Sequence, residues 1–260
     1  MQTPDPISGG VAAAAAAVDI YKLAKELGWI DRLKTMFRKK RRIVVLGSTG
    51  AGKTQFIRSL SKQIPDLILN TDRTKFNIAQ TLDLANQLLL VIDDTPGQAG
   101  HNVERSKAVR EAMLRGHGVI NVVSYGYHEW DIAADQALTK ADEPRQNFLQ
   151  SQRQVEIDQL AEWNGLLSAG VENPWLITVA TKADLWWEQR TPVREHYESG
   201  PYFAGLGPAQ AMRPAVCLYS SIYHRFYGTA PVSGYFDDAE RLHLRANFFR
   251  VLFEAVGKTI

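Results

Sequence analysis

The chain has little sulfur chemistry to offer. Its 260 residues hold one cysteine, Cys217, which excludes an intrachain disulfide and argues for a reducing compartment. The six histidines are scattered, and no Cys/His cluster has the spacing of a structural metal site. His101 and His117 stand apart from any partner in the sequence. Long apolar runs are missing too. The stretch Val11 to Val18 is mostly alanine and too short to span a bilayer, and the first residues carry Asp5 and no basic charge. No secretory signal is read there, and the expected location is cytoplasmic. Charge of one sign is nearly absent in sum, at +2, and basic residues interleaved with aromatics are absent as well, so no nucleic acid is expected as a partner. Apolar content of 45% is ordinary for a folded, water-soluble chain with ample length for a core.

What is present is a glycine-rich turn in a telling place. Gly47-Ser48-Thr49-Gly50-Ala51-Gly52-Lys53-Thr54 fits the pattern Gly-x4-Gly-Lys-[Ser/Thr]. The apolar run Ile43 to Leu46 before it reads as a buried strand. After it, Phe56, Leu60 and Ile64 recur four apart, which predicts a helix from Lys53 to Ile64, stopped by Pro65. Strand, glycine loop and helix together aim backbone N–H groups and a helix N-terminus at phosphate oxygens. The glycines permit positive φ and close approach, the lysine supplies a point charge to the β and γ phosphates, and the threonine hydroxyl suits Mg²⁺. A nucleoside triphosphate is the implied ligand.

Two more apolar strands run into polar motifs. Leu88 to Ile92 leads into Asp93-Asp94-Thr95-Pro96-Gly97-Gln98, and Trp175 to Ala180 leads into Thr181-Lys182-Ala183-Asp184. With Gly-x4-Gly-Lys-Thr, Asp-x-x-Gly (Asp94 to Gly97) and Thr-Lys-x-Asp (Thr181 to Asp184) in order, residues 41 to 260 resemble the P-loop GTPase superfamily, the Ras-like and translation-factor-related G domains. The resemblance implies a three-layer α/β P-loop G domain with a mostly parallel sheet and one antiparallel edge strand. It implies a GTP-binding protein that hydrolyses GTP with Mg²⁺ and acts as a molecular switch.

Within that family the motif aspartate, here Asp184, accepts hydrogen bonds from the guanine ring N–H and amino group. Adenine leaves such a carboxylate desolvated and unpaired, at a cost of about 1–3 kcal/mol or more. Lys182 lies along the base and supports the phosphate loop, and Thr181 stands where asparagine is more usual. The second copy of the four letters, Thr139 to Asp142, follows no strand, so the base-reading role goes to Asp184. The fifth family motif falls at Ser220-Ser221, after the apolar run Ala215 to Tyr219, and gives Ser220 as a base-site residue.

The same resemblance implies the remaining roles. Gly47 to Thr54 hold the phosphates, with Lys53 among the catalytic groups. Gly97 gives its N–H to the γ phosphate, and Gln98 orients the attacking water. Thr54, Asp94 and a switch threonine hold Mg²⁺. Spacing fits Thr71 and Thr74 alike, and Thr74 lies closer to the next strand. Arg73 is a candidate internal arginine finger, with a solvated loop arginine as its plainer reading.

Elsewhere, 77–85 alternates and turns at Asn86-Gln87 into the strand ending at Asp94, a predicted hairpin. Residues 102–116 read as a helix and Gly118 to Val123 as the central strand. Insertions are read near 125–145 and 185–212. A long helix is predicted from 146 to 168 with Phe148, Val155, Leu160, Trp163 and Leu167 inward. A final helix, Asp238 to Gly257, is predicted to bury Leu242, Phe249, Leu252, Phe253 and Val256. Trp186 and Trp187 read as core residues or as a partner-binding patch.

Residues 1–40 form an N-terminal helical and basic extension. Ile20, Leu23, Leu27, Ile30 and Leu33 recur at helical spacing, and 31–42 carry seven Lys/Arg against one Asp, +6 locally, leaving −4 over the rest. Three readings stand open: a helix docked on the G domain or on a partner, a helix on an anionic membrane surface, or a flexible tail. A protein effector or regulator is the expected partner; the sequence leaves the oligomeric state open. Besides a hydrolysing GTPase, a non-hydrolysing GTP-dependent interaction module fits the motifs, and an ATP-using P-loop enzyme fits them less well.

Overall fold

A buried apolar strand, Ile43 to Leu46, sits at the centre of the sheet and is covered on both faces, as its uninterrupted hydrophobicity requires. In the computed structural model the described residues are 41–60, 78–83, 89–94, 118–128, 146–167, 175–212, 214–221 and 236–257. Side chains are described for these except at 41–42, 78–83, 89–94, 161–167, 211 and 257.

Six strands form one sheet: β1 (Arg41–Leu46), β2 (Ile78–Asp83), β3 (Leu89–Asp94), β4 (Gly118–Val123), β5 (Leu176–Ala180) and β6 (Ala215–Leu218). Their spatial order is β2-β3-β1-β4-β5-β6. The β2–β3 pair is antiparallel and every other pair parallel. The helices are α1 (Lys53–Leu60), α2 (Gln146–Leu167), α3 (Ala183–Trp186), α4 (Arg190–Glu198), α5 (Pro201–Gly205) and α6 (Asp238–Gly257), with 3-10 turns at Trp187–Gln189 and Gly207–Met212. This is a three-layer α/β arrangement with a mostly parallel sheet and the antiparallel strand at the edge.

Strand alternation divides the core in two. On one face Ile43, Val45, Ile120, Val122, Ile177, Val179 and Cys217 meet α1 and α6. Phe56 of α1 packs edge-on against Tyr219 and Phe248 at centroid distances of 5.0 and 5.1 Å. On the other face Val44, Leu46, Val119, Val123, Leu176 and Ala180 meet α2 and the run of short helices from 183 to 212. That run buries Trp186, Val193, Tyr197, Tyr202, Leu206 and Ala209. Trp186 and Trp187 are core residues and form no exposed patch. Trp186 Nε1 donates to Thr181 O at 3.0 Å, and Trp187 packs on Phe236.

Two inward residues are corrected. Val155 is 38% exposed, and its neighbour Glu156 is buried instead, because polar groups of the 124–128 turn and of α4 meet that carboxylate. Leu242 is 41% exposed; Leu244 and Phe248 take the buried stripe of α6 beside Phe249, Leu252, Phe253 and Val256. Trp163 and Leu167 lie outside the described side chains, and the extension 1–40, the helix at 102–116, the rest of the 125–145 segment beyond 128 and Asp142 lie outside the described residues.

Candidate nucleotide site

All the parallel strands end along one edge of the sheet, where crevices outside carboxyl ends receive ligands in open α/β folds. The turn after β1 curls there. Gly47, Gly50 and Gly52 hold φ of 139°, 77° and 92°. A Cβ at Gly47 would stand 2.1 Å from the Val122 carbonyl oxygen, so the turn lies against β4 closely enough to exclude any side chain. Lys53, first residue of α1, folds back into the curl and donates from Nζ to Gly47 O at 3.0 Å and Ser48 O at 2.9 Å. Ser48 and Ala51 are buried; Thr49, Gly50, Gly52 and Thr54 are partly exposed. Ser48 Oγ is buried with no hydrogen-bond partner among the described residues.

The loops after β5 and β6 lace onto this turn. Thr181 Oγ1 lies 2.6 Å from Ala51 O and 3.0 Å from Val123 O, its single hydrogen shared between them. Lys182 has left-handed backbone, φ 60°, and its Nζ donates to Gly50 O at 2.8 Å and to Tyr127 O. Asp184 is 3% exposed and accepts from Ser220 Oγ at 2.6 Å on Oδ1. Burial pushes the Asp184 carboxyl above the ordinary aspartate value, against the Ser220 hydroxyl, its own backbone N–H and the charges of Lys182 and Arg241. A carboxylate has about four acceptor sites, so Ser220 leaves most of its capacity for a ligand. Arg241 of α6 donates to Ser221 O at 3.3 Å and pairs with Asp238 at 2.8 Å, tying the Ser220 loop to the last helix.

Asp94 ends β3 in register with Val45 of β1, beside the strand that feeds the turn. Its backbone therefore sits at the same sheet edge as Thr54. A hydroxyl and a carboxylate are hard oxygen donors of the kind Mg²⁺ takes, and the orphaned Ser48 hydroxyl suits an oxyanion in the turn, so the residues fit a metal–phosphate ligand. Among the described residues no cluster of three or more His, Cys, Asp or Glu could hold a metal by itself. Thr71, Arg73, Thr74, Gly97 and Gln98 lie outside the described residues.

Sequence reasoning missed Tyr127, whose carbonyl meets Lys182, and Arg241 behind the Ser220 loop. Backbone acceptors leave no trace in residue identity, and Arg241 reads as any polar helix position.

Among the described residues no helix is long and apolar enough to cross a membrane. No protein-family model matches the chain, and no curated protein matches it. Solved structures overlay it at low identity. The bacterial selenocysteine-specific elongation factor EF-Sec does so at 16% identity and a TM-score of 0.46, over 84% of this chain and 29% of that one. The Arl6 BBS3 small GTPase from Trypanosoma brucei, solved with the nucleotide analogue GppNp, does so at 12% identity and a TM-score of 0.45, over 85% of this chain and 100% of that one. The chain thus spans under a third of the length of the elongation factor.

Proposed function

We propose that the protein binds GTP and GDP with Mg²⁺, hydrolyses GTP to GDP and phosphate, and works as a molecular switch. The observation that carries this reading is the buried Asp184 carboxylate, held by Ser220 and set two residues after Lys182, whose Nζ donates to Gly50 O of the glycine turn. A base reader and a phosphate cradle are thereby connected through one side chain. Guanine offers a ring N–H and an amino group side by side to the remaining acceptor sites of Asp184. Adenine offers a ring acceptor at that position and no amino group beside it, and a buried charged acceptor left unmet is costly.

The chain's own groups divide the work. Backbone N–H groups of Gly47 to Thr54 and the N-terminus of α1 receive the phosphates. The Lys53 ammonium, now resting on Gly47 O and Ser48 O, moves its charge to the β and γ phosphates. Thr54, Asp94 and Thr74 (or Thr71) hold Mg²⁺, which neutralises phosphate charge when bound. Gln98 orients water and the Gly97 N–H senses the γ phosphate. Catalysis is then positioning and charge stabilisation without a covalent intermediate.

Single-turnover hydrolysis of GTP tests the reading. Wild type converts bound GTP to GDP, Gln98→Ala binds and converts far more slowly, and Lys53→Ala loses binding. Tight GTP binding with no turnover, unchanged by Gln98→Ala, would leave a GTP-dependent interaction module in its place.

A further inference from the structure

Glu156 is the most deeply buried charged group in the described chain outside the nucleotide site, at 2% exposure, and it faces the turn that follows β4. That turn takes two successive left-handed residues, Tyr125 at φ 55° and Gly126 at φ 84°. The conformation directs amides toward one point, and Glu156 Oε1 accepts there from Ser124 N at 2.9 Å and from Gly126 N at 3.3 Å. His128 Nε2 meets the same oxygen at 2.9 Å, while its Nδ1 meets Gln152 Oε1 at 3.0 Å. Oε2 accepts from Tyr197 OH at 2.7 Å, and that hydroxyl accepts in turn from Tyr125 N at 2.8 Å. Burial alone would raise the carboxyl of Glu156. The hydrogen bond and charge of His128, with the Ser124 and Tyr197 bonds, outweigh it and hold the carboxyl below its ordinary value.

Glu156 of α2, with Tyr197 of α4 bonded to it, therefore fixes the course of residues 124–128. The carbonyl presented by this turn, Tyr127 O, is an acceptor for Lys182 Nζ, whose other acceptor is Gly50 O in the glycine turn. A Cβ at Gly126 would stand 2.3 Å from Leu149 O, so the turn is pressed against α2 at the point where Glu156's helix passes.

We infer that Glu156 is a positioning residue of the nucleotide site, holding the Tyr127 carbonyl where it orients Lys182 between base and phosphate turn. This rests on the nucleotide reading above and adds to it a link from α2 that the motifs do not contain.

Release of a fluorescent GDP, followed by stopped flow, tests the link. Glu156→Ala speeds release by about tenfold, the loss of roughly one charged hydrogen bond's influence. Glu156→Gln keeps an acceptor for the Ser124 and Gly126 amides and stays within about threefold of wild type. In a Lys182→Ala background, Glu156→Ala changes release by less than about twofold, because the two residues act along one path. Equal acceleration in both backgrounds, or no acceleration in a folded Glu156→Ala variant, overturns the inference. Should Glu156→Ala not fold, Tyr197→Phe removes one bond of the same cluster and is read in the same way.

Amide hydrogen exchange of the nucleotide-free chain separates this inference from the GTP reading. Tyr197→Phe is expected to speed exchange at 124–128 and also at 50–53. A rise confined to 124–128 overturns the link. A wild type that binds no guanine nucleotide sinks the GTP reading, and the exchange pattern then decides the link by itself.

Discussion

The Ser220 hydroxyl donates to Asp184 Oδ1 at 2.6 Å, joining the loop after β6 to the loop after β5 inside a buried site. A charge-assisted bond of this kind is worth about 1.5–3 kcal/mol. Ser220→Ala is expected to weaken GDP binding by about tenfold or more, measured by titration calorimetry. Unchanged affinity would remove Ser220 from the site.

Asp184→Asn separates stability from recognition. Burial raises the Asp184 carboxyl above its unfolded value, so the folded state binds the proton more readily than the unfolded one. Stability then falls as pH rises through the window from the unfolded to the folded value, and the cost is fully present above it. Removing the charge is expected to stabilise the nucleotide-free protein by about 0.5–2 kcal/mol at neutral pH, as substitutions that relieve a functional strain do. The same variant loses its preference for GTP over ATP. Thermal unfolding at two pH values, with nucleotide competition, checks both outcomes.

The raised carboxyl also sets a pH dependence of binding. Protonated Asp184 cannot accept both guanine donors, so GDP affinity falls on acidification from a higher pH than an ordinary aspartate would dictate. Asp184→Asn is expected to flatten that profile. A wild-type profile with no acid limb above the usual aspartate range contradicts this role.

Thr181 offers one hydrogen to two carbonyls, Ala51 O and Val123 O. Thr181→Val leaves Ala51 O without this donor, while Val123 O keeps the Thr181 backbone N–H at 2.8 Å; the loss costs about 1–3 kcal/mol and weakens nucleotide binding with it. Thr181→Asn supplies two N–H donors and is expected to hold affinity within about threefold of wild type. Equal damage from both would show that volume, not donor count, governs the position.

Gly47→Ala is expected to be the most damaging single change in the turn. Its φ of 139° is strained for any side chain, and the added Cβ meets Val122 O at 2.1 Å. A loss of more than about 1 kcal/mol in stability, with loss of nucleotide, is predicted from chemical unfolding.

Much of the fold could be read along the chain because the parallel strands are continuous apolar runs and the edge hairpin alternates. The span Asp238–Gly257 was legible from the spacing of Phe249, Leu252, Phe253 and Val256 on one face. The errors have a common cause. Hydropathy puts Val155 inward and Glu156 outward, yet Glu156 has four donors waiting from residues 28 to 41 positions away. Leu242 is likewise apolar by composition and exposed by position, because Leu244 and Phe248 already fill the stripe. Of the candidate site, motif order singled out Gly47 to Thr54, Thr181, Lys182, Asp184 and Ser220, which lie together at one edge of the sheet. The contacts that join them, such as Tyr127 O to Lys182, are tertiary and run through backbone atoms that every residue shares.

Competition binding with purified protein and Mg²⁺ tests the central claim most directly. A labelled GDP should be displaced by unlabelled GTP at concentrations at least about a hundredfold below those of ATP, the discrimination expected when a buried polar group is matched by one ligand and orphaned by the other. Equal displacement by the two triphosphates, or no binding of the labelled nucleotide at all, contradicts it.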